Sequence, residues 1–398
     1  MSFSGSPRAG AALAAALVLL CAGAVLREFR GMAAYSDEGH HLRQIRAFCA
    51  GDFALDRKIT MLPGYHLVGA GLGRLVGDCS LATLRRVNAC LGLLSAAAFY
   101  FAARATPTRW PALRMLQYFL MPVILPYHFL VYTDTVSLLL LAAVGLLLRG
   151  ASVAAGLVIC ASLLFRQTNV VWLGLVALYV LWVEGPERRP RELARRLWPC
   201  FWGSGGFLLC VLLNGGVALG DARAHRAGLH LGNAFFFLLL FAVLFLPRNL
   251  VLVWTQRARF LHRWRAWVLG AVALAFLASF GVAHAYNRFP GFLRNDLLMA
   301  ADEDPFVKLG LLAPVLLGSM SLLVGRLALP AYAVLYPIGL LSLLPVKLID
   351  QRYAFVSLAF YQLLRPDDGE LVEALTLGLY VALAAFLVHG VASGAFLV

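Results

Sequence analysis

Charge is scarce in this chain. Only 14% of its 398 residues are Asp, Glu, Lys or Arg, whereas 61% are hydrophobic, which excludes a soluble domain. Acidic residues are scarcer than basic ones, 20 against 34, for a formal charge of +14. A surplus of that sign raises nucleic acid as a partner, but the arginines cluster in short loops between apolar runs, the pattern of the positive-inside bias. Membrane lipid is therefore the expected surrounding, and no nucleic acid is expected. Long Pro/Ser-rich linkers, low-complexity tracts and internal repeats are absent, so residues 1–398 form one helical membrane domain. No zinc-type spacing occurs, and the adjacent His40 and His41 lack the i, i+4 separation that puts two ligands on one helix face. No metal or other cofactor is expected. Of the 7 cysteines, Cys21, Cys90, Cys160, Cys200 and Cys210 fall in or beside apolar runs, while Cys49 and Cys79 share one long loop and make a candidate disulfide in an oxidising compartment. No small-residue cleavage site follows the apolar run 9–26, so that run reads as an uncleaved first helix.

Apolar runs approaching the ~20 residues of a bilayer crossing fill the rest of the chain. They predict an all-α polytopic membrane protein with about 13 spans, near 9–26, 87–103, 111–126, 136–148, 151–165, 170–183, 199–219, 229–246, 267–283, 307–325, 328–346, 353–364 and 371–395. The richest basic loops, 184–198 and 247–266, should face the cytosol. The stretch 62–76 is too short to cross and carries Pro63, Gly64 and Arg74, so it predicts a short helix at the interface. The first extracytoplasmic loop then runs from 27 to 86, with more arginine than the bias favours.

On that topology the unusual polar residues gather at one rim. They are Asp37 and Glu38, the segment 132–135, Arg166 to Asn169, 220–225, 284–288 and 347–353. Ionisable groups at membrane depth are costly and mark a site or pathway. Such a rim suits transfer of a sugar from a lipid phosphate, with a carboxylate taking the proton of an acceptor hydroxyl and cations holding the departing phosphate. Asp37 or Glu38 is the candidate base; adjacent helical residues point about 100° apart, so one of them faces the reacting centre, and Asp37 is favoured. Arg166, Arg288, Lys347 and Arg352 are candidate phosphate holders. Ordinary roles compete: Asp134 could cap a helix, Arg166 and Asn169 could join helices, Asp221, His225 and His230 could serve a helix start, and Lys347 and Arg352 could snorkel.

The ordered set Ser36-Asp37-Glu38…His41, Asp56-Arg57-Lys58-Ile59-Thr60…Pro63-Gly64-Tyr65, Tyr132-Thr133-Asp134-Thr135, Phe165 to Trp172, Asn214…Asp221…His225…His230 and Lys347…Arg352-Tyr353 resembles the Alg10/Die2 family. The resemblance implies a GT-C-type glycosyltransferase with many membrane helices and a long first lumenal loop holding an acidic motif and juxtamembrane helices. It implies a multi-pass protein of the endoplasmic reticulum membrane with a lumenal site. It implies an inverting α-1,2-glucosyltransferase that moves glucose from dolichyl-phosphate-glucose to a lipid-linked oligosaccharide, with Asp37 as base. The remaining motif residues Glu38, His40, His41, Lys58, Thr60, Tyr65, Asp134, Arg166, Asn169, Asp221, His225, His230, Arg288, Lys347 and Arg352 are assigned to substrate binding. Departures occur at Leu55-Asp56-Arg57 and Met61-Leu62, and the segment from His284 to Phe289 lacks the family's Asp. Another polyprenyl-phosphate sugar, in a bacterial inner membrane, is the alternative enzyme; a transporter or channel partner is the alternative outside enzymes.

Overall fold

In lipid every backbone N–H and C=O must be satisfied within its own segment, so apolar runs of this length become helices. The computed structural model describes residues 7–183, 185–187, 189–220 and 228–398, and apart from one isolated bridge between Phe292 and Leu397 the described residues contain no strand. The helices are α1 (Pro7–Glu28), α2 (Glu38–Ala50), α3 (Gly64–Val76), α4 (Leu81–Ala103), α5 (Pro111–Phe119), α6 (Asp134–Ser137), α7 (Leu140–Leu147), α8 (Ser152–Leu163) and α9 (Val171–Val183). They continue as α10 (Pro190–Asn214), α11 (Gly232–Leu244), α12 (Leu246–Thr255), α13 (Arg263–Ser279), α14 (Leu293–Glu303), α15 (Pro305–Val324), α16 (Leu335–Leu343), α17 (Phe355–Leu364) and α18 (Glu370–Ser393). Five of them, α1, α4, α10, α15 and α18, are long and apolar enough to cross a membrane; α11 and α12, bent by 90°, make a sixth if counted as one span. The other expected spans fall on shorter helices, among them α8 and α16. The chain is a multi-pass membrane protein.

Proline explains most differences from the expected boundaries. The run 111–126 splits after α5, because Pro122 and Pro126 remove helix hydrogen bonds, and continues as a 3₁₀ turn at Leu125–His128. Likewise 328–346 divides into a 3₁₀ turn at Pro330–Val334 and α16. Pro247 opens α12, so much of the basic stretch 247–266 is helical rather than loop. α4 starts at Leu81, capped by Ser80 accepting from the Thr83 N–H, which moves Arg85 out of the first loop and into a helix.

The expected interface helix is α3. It packs on α2, and Ile45, Phe48, Tyr65 and Ala70 form a small core with Leu84 and Val131. The Cys49–Cys79 disulfide forms and ties the end of α2 to the residues after α3, with the two Cα atoms 6.8 Å apart. The larger core runs through the bundle, where Phe99 stacks on Tyr118 at 4.6 Å and Trp172 meets Phe360 edge-on at 4.9 Å. At one end of the bundle the connecting segments close around a cavity; at the other, Arg114, Arg248 and Arg365 interlock with Asp367, Asp368 and Glu373.

Candidate active site

Neighbouring acidic residues at the start of α2 have opposite fates. Ser36 takes a left-handed backbone (φ 47°), which turns the chain into the helix and leaves Asp37 at the N-cap position. Its side chain makes no capping bond. Instead the Asp37 carboxylate is half exposed and lies 3.4 Å from the Arg352 guanidinium, while the Asp37 N–H donates to the Tyr132 hydroxyl at 2.9 Å. Glu38 is fully buried: its oxygens accept from Arg85 Nε and Nη2 at 3.1 and 2.6 Å, from the Tyr35 N–H at 2.8 Å and from the Val131 N–H at 2.7 Å. That carboxylate is a fastener between the first loop and α4, away from the cavity.

The cavity beside Asp37 has a volume of about 580 Å³. Among the residues expected at a site, Asp37, His40, His41, Lys58, Thr60, Asp134, Arg166 and Arg352 line it. Arg166 pairs with Asp134, and its guanidinium lies 5.5 Å from the Tyr353 ring centroid. Arg352 bonds Asp350 at 2.9 Å as well as facing Asp37. Six expected residues do not line the cavity. Glu38 is one; Tyr65 is buried and donates to Asn88 at 3.1 Å, and Asn169 is buried against Ser162. His230 is held by its backbone N–H to Leu344 at 2.9 Å, and Arg288 and Lys347 are exposed elsewhere. Asp221 and His225 lie outside the described residues.

One charged cavity residue lies outside the segments that the sequence singled out. Arg294, at the start of α14, lines the cavity with its guanidinium 3.5 Å from Asp350. Burial alone would raise the Asp350 carboxyl, but Arg294 and Arg352 overcome it and hold that group at about 2. Asp350 and Arg352, two positions apart, form an ion pair at 2.9 Å at the cavity wall. Two buried asparagines fix that segment: Asn233 donates to the carbonyls of Val346 and Leu348 and accepts from the Asp350 N–H, while Asn287 exchanges two bonds with the Ile349 backbone. Gln167 does the same on the opposite wall, donating to the carbonyls of Thr60 and Val217. Gly220 is required there, since a Cβ would stand 2.3 Å from the Arg57 carbonyl oxygen. Amide side chains that bind backbone look unremarkable in a sequence, because their partners are distant in the chain.

A second, smaller cavity of about 240 Å³ adjoins the first and shares Gln167, Phe207 and Val217 with it. Its other walls are almost wholly apolar, from α8 (Cys160, Leu163) and α10 (Trp202, Gly203, Gly206, Cys210). Polar and apolar compartments therefore meet at Gln167.

Known proteins resemble this chain. It is 27% identical over 319 residues to the mouse (Mus musculus) Dol-P-Glc:Glc(2)Man(9)GlcNAc(2)-PP-Dol alpha-1,2-glucosyltransferase, covering 63% of this chain and 66% of that protein. A human (Homo sapiens) protein of the same name is 28% identical over 324 residues, with the same coverage of 63% and 66%. The Debaryomyces hansenii protein of that name is 27% identical over 240 residues, covering 51% of each chain. The chain thus spans 66% of the length of the mammalian relatives and 51% of the Debaryomyces one. The crystal structure of the Archaeoglobus fulgidus oligosaccharyltransferase in the apo form gives a TM-score of 0.42 at 13% identity, covering 94% of this chain and 56% of that one, a likeness too loose to carry an argument. The profile of the DIE2/ALG10 family matches residues 32–192 and 183–363, so this chain belongs to the DIE2/ALG10 family.

Proposed function

We propose that the cavity transfers glucose, with inversion, from dolichyl-phosphate-glucose to a lipid-linked oligosaccharide, forming an α-1,2 linkage on the lumenal side of the endoplasmic reticulum membrane. The observation that carries this reading is the placement of one half-exposed carboxylate, Asp37, against a wall of arginines in a cavity that opens onto an apolar cleft. A volume near 580 Å³ lies within the range of small-ligand sites. Glycosyl transfer with inversion is a single displacement. Asp37 accepts the proton of the attacking hydroxyl as the new C–O bond forms, and the phosphate departs with the electrons of the broken glycosidic bond. Arg352, Arg294 and Arg166 line the cavity where they could hold that phosphate; the planar guanidinium fork matches phosphate oxygens bidentately. Asp350 and Asp134 keep Arg352 and Arg166 in place before substrate arrives. The apolar cleft between α8 and α10 suits the polyprenyl chain of the donor, whose glycosyl phosphate would then enter past Gln167. The overall plan fits the GT-C type, with α2 and α3 as the juxtamembrane helices of the first loop.

The test uses purified protein in detergent, supplied with dolichyl-phosphate-glucose and a diglucosylated lipid-linked oligosaccharide. Mass spectrometry should find one added hexose, lost in Asp37→Asn. Folded protein that transfers nothing would redirect the reading to another polyprenyl-phosphate sugar or acceptor.

A further inference from the structure

His41 follows Asp37 by one helical turn, so both reach the same cavity. Its Nδ1 lies 2.9 Å from Nε2 of His66 on α3, and the two rings stack with centroids 5.1 Å apart. His66 is fully buried, does not line the cavity, and its Nδ1 has no hydrogen-bond partner. Both helices belong to the first loop, outside the spanning segments. Burial, reinforced by the positive charges of Arg352 and Arg166, lowers His41 to about 3; burial and His41 lower His66 to about 3. Two neutral rings in contact share one hydrogen, which allows two arrangements. If His41 donates from Nδ1, His66 must carry its own proton on Nδ1, a buried N–H with no acceptor. If His66 donates from Nε2, its Nδ1 is left as a lone pair, and His41 carries its proton on Nε2. Orphaned buried N–H groups are rarer than unpaired acceptors, so the second arrangement wins. With Nδ1 engaged by His66, Nε2 is the nitrogen through which His41 meets the cavity.

We propose that His66 is a positioning residue that fixes His41 as its Nε2–H tautomer, so that His41 offers a neutral hydrogen-bond donor to an oxygen of the glycosyl phosphate beside Asp37. The proposal rests on the glucosyl-transfer reading above. A neutral donor serves that site better than either alternative. A histidinium would ion-pair with Asp37 and compete for its lone pairs, whereas a bare Nε2 would repel the phosphate oxygens it faces.

The experiment is ¹⁵N-histidine NMR on the full chain in detergent, with the His41 resonances assigned by difference against His41→Gln. Wild type should show a protonated Nε2 and a bare Nδ1 on His41. His66→Gln, whose amide can donate from the same place, should keep that pattern, and His66→Phe should mix the tautomers. A proton on Nδ1 of His41 in wild type overturns the proposal. This arm needs no substrate, so it stands or falls separately from the transferase reading. In the kinetic arm, kcat/KM should fall roughly ten- to a hundredfold in His66→Phe, the worth of one hydrogen bond to a charged group, and recover in His66→Gln. Equal losses in both variants, with the wild-type tautomer retained in both, would also overturn it.

Discussion

Three arginines meet three carboxylates at each end of the helix bundle, with different results. At the cavity end, Arg166, Arg294 and Arg352 meet Asp37, Asp134 and Asp350; at the far end, Arg114, Arg248 and Arg365 meet Asp367, Asp368 and Glu373. The far-end arginines are 2%, 3% and 1% exposed, and Arg365 grips Glu373 and Asp368 at 2.7 Å each. There the ions close the bundle by joining α5, α12 and α18. At the cavity end the pairs leave one carboxylate half exposed and the arginines on an open wall. Opposite charges near a membrane therefore do not make a site. What sets the cavity end apart is space beside the charges and a carboxylate that the fold has not fully engaged.

The sharpest way to break the comparison is to neutralise one charged side chain at each end. Asp37→Asn should lower turnover by about 10²–10⁴, measured as hexose transfer, with an unchanged thermal midpoint. Wild-type activity in that variant would move the base elsewhere. Arg365→Met should do the reverse, costing about 3 kcal/mol of stability because the buried Glu373 loses its closest cation and keeps Arg114 at 3.5 Å and the Gln117 amide. Transfer per folded molecule should stay at the wild-type level; a selective loss of turnover would show that the far end takes part in the chemistry.

Moderate acid should loosen α2 and α3. His41 and His66 are held near 3 when folded, below the ordinary histidine value near 6.5, so the unfolded chain binds more protons. Stability then falls as pH drops from about 6.5 towards 3, by about 2 kcal/mol for each ring at pH 5. Hydrogen exchange at pH 5 should speed up in α2 and α3 before it does in α12, which carries no histidine and is held at the far end by Arg248 and Asp368. Uniform acceleration would refute this. The smallest effect is expected for Arg352→Lys, which keeps the charge but loses the fork spanning Asp37 and Asp350. About a tenfold fall in kcat/KM is expected, with little change in stability. No change would mean that Arg352 acts only as a point charge.

Much of this was legible in the chain. Composition and apolar runs set the membrane class, because transfer of side chains into lipid depends on residue type and hardly on neighbours. Motifs at the rim identified Asp37, Asp134, Arg166 and Arg352, and shared residence in one loop paired Cys49 with Cys79. Legibility stopped where partners are remote. Asp37 and Glu38 are alike as letters, and Glu38 is consumed by Arg85, 47 positions away. Arg294 resembles any interfacial arginine until it is found opposite Asp350. Asn233, Asn287 and Gln167 matter only through the backbone they fasten, and His66 only through the nitrogen of His41. The sequence by itself determined the solvent, the helical class and several of the polar segments that meet at the cavity. The tertiary structure alone decided which of those polar groups remain open to a cavity, because burial and hydrogen-bond satisfaction are set by packing between segments distant in the chain.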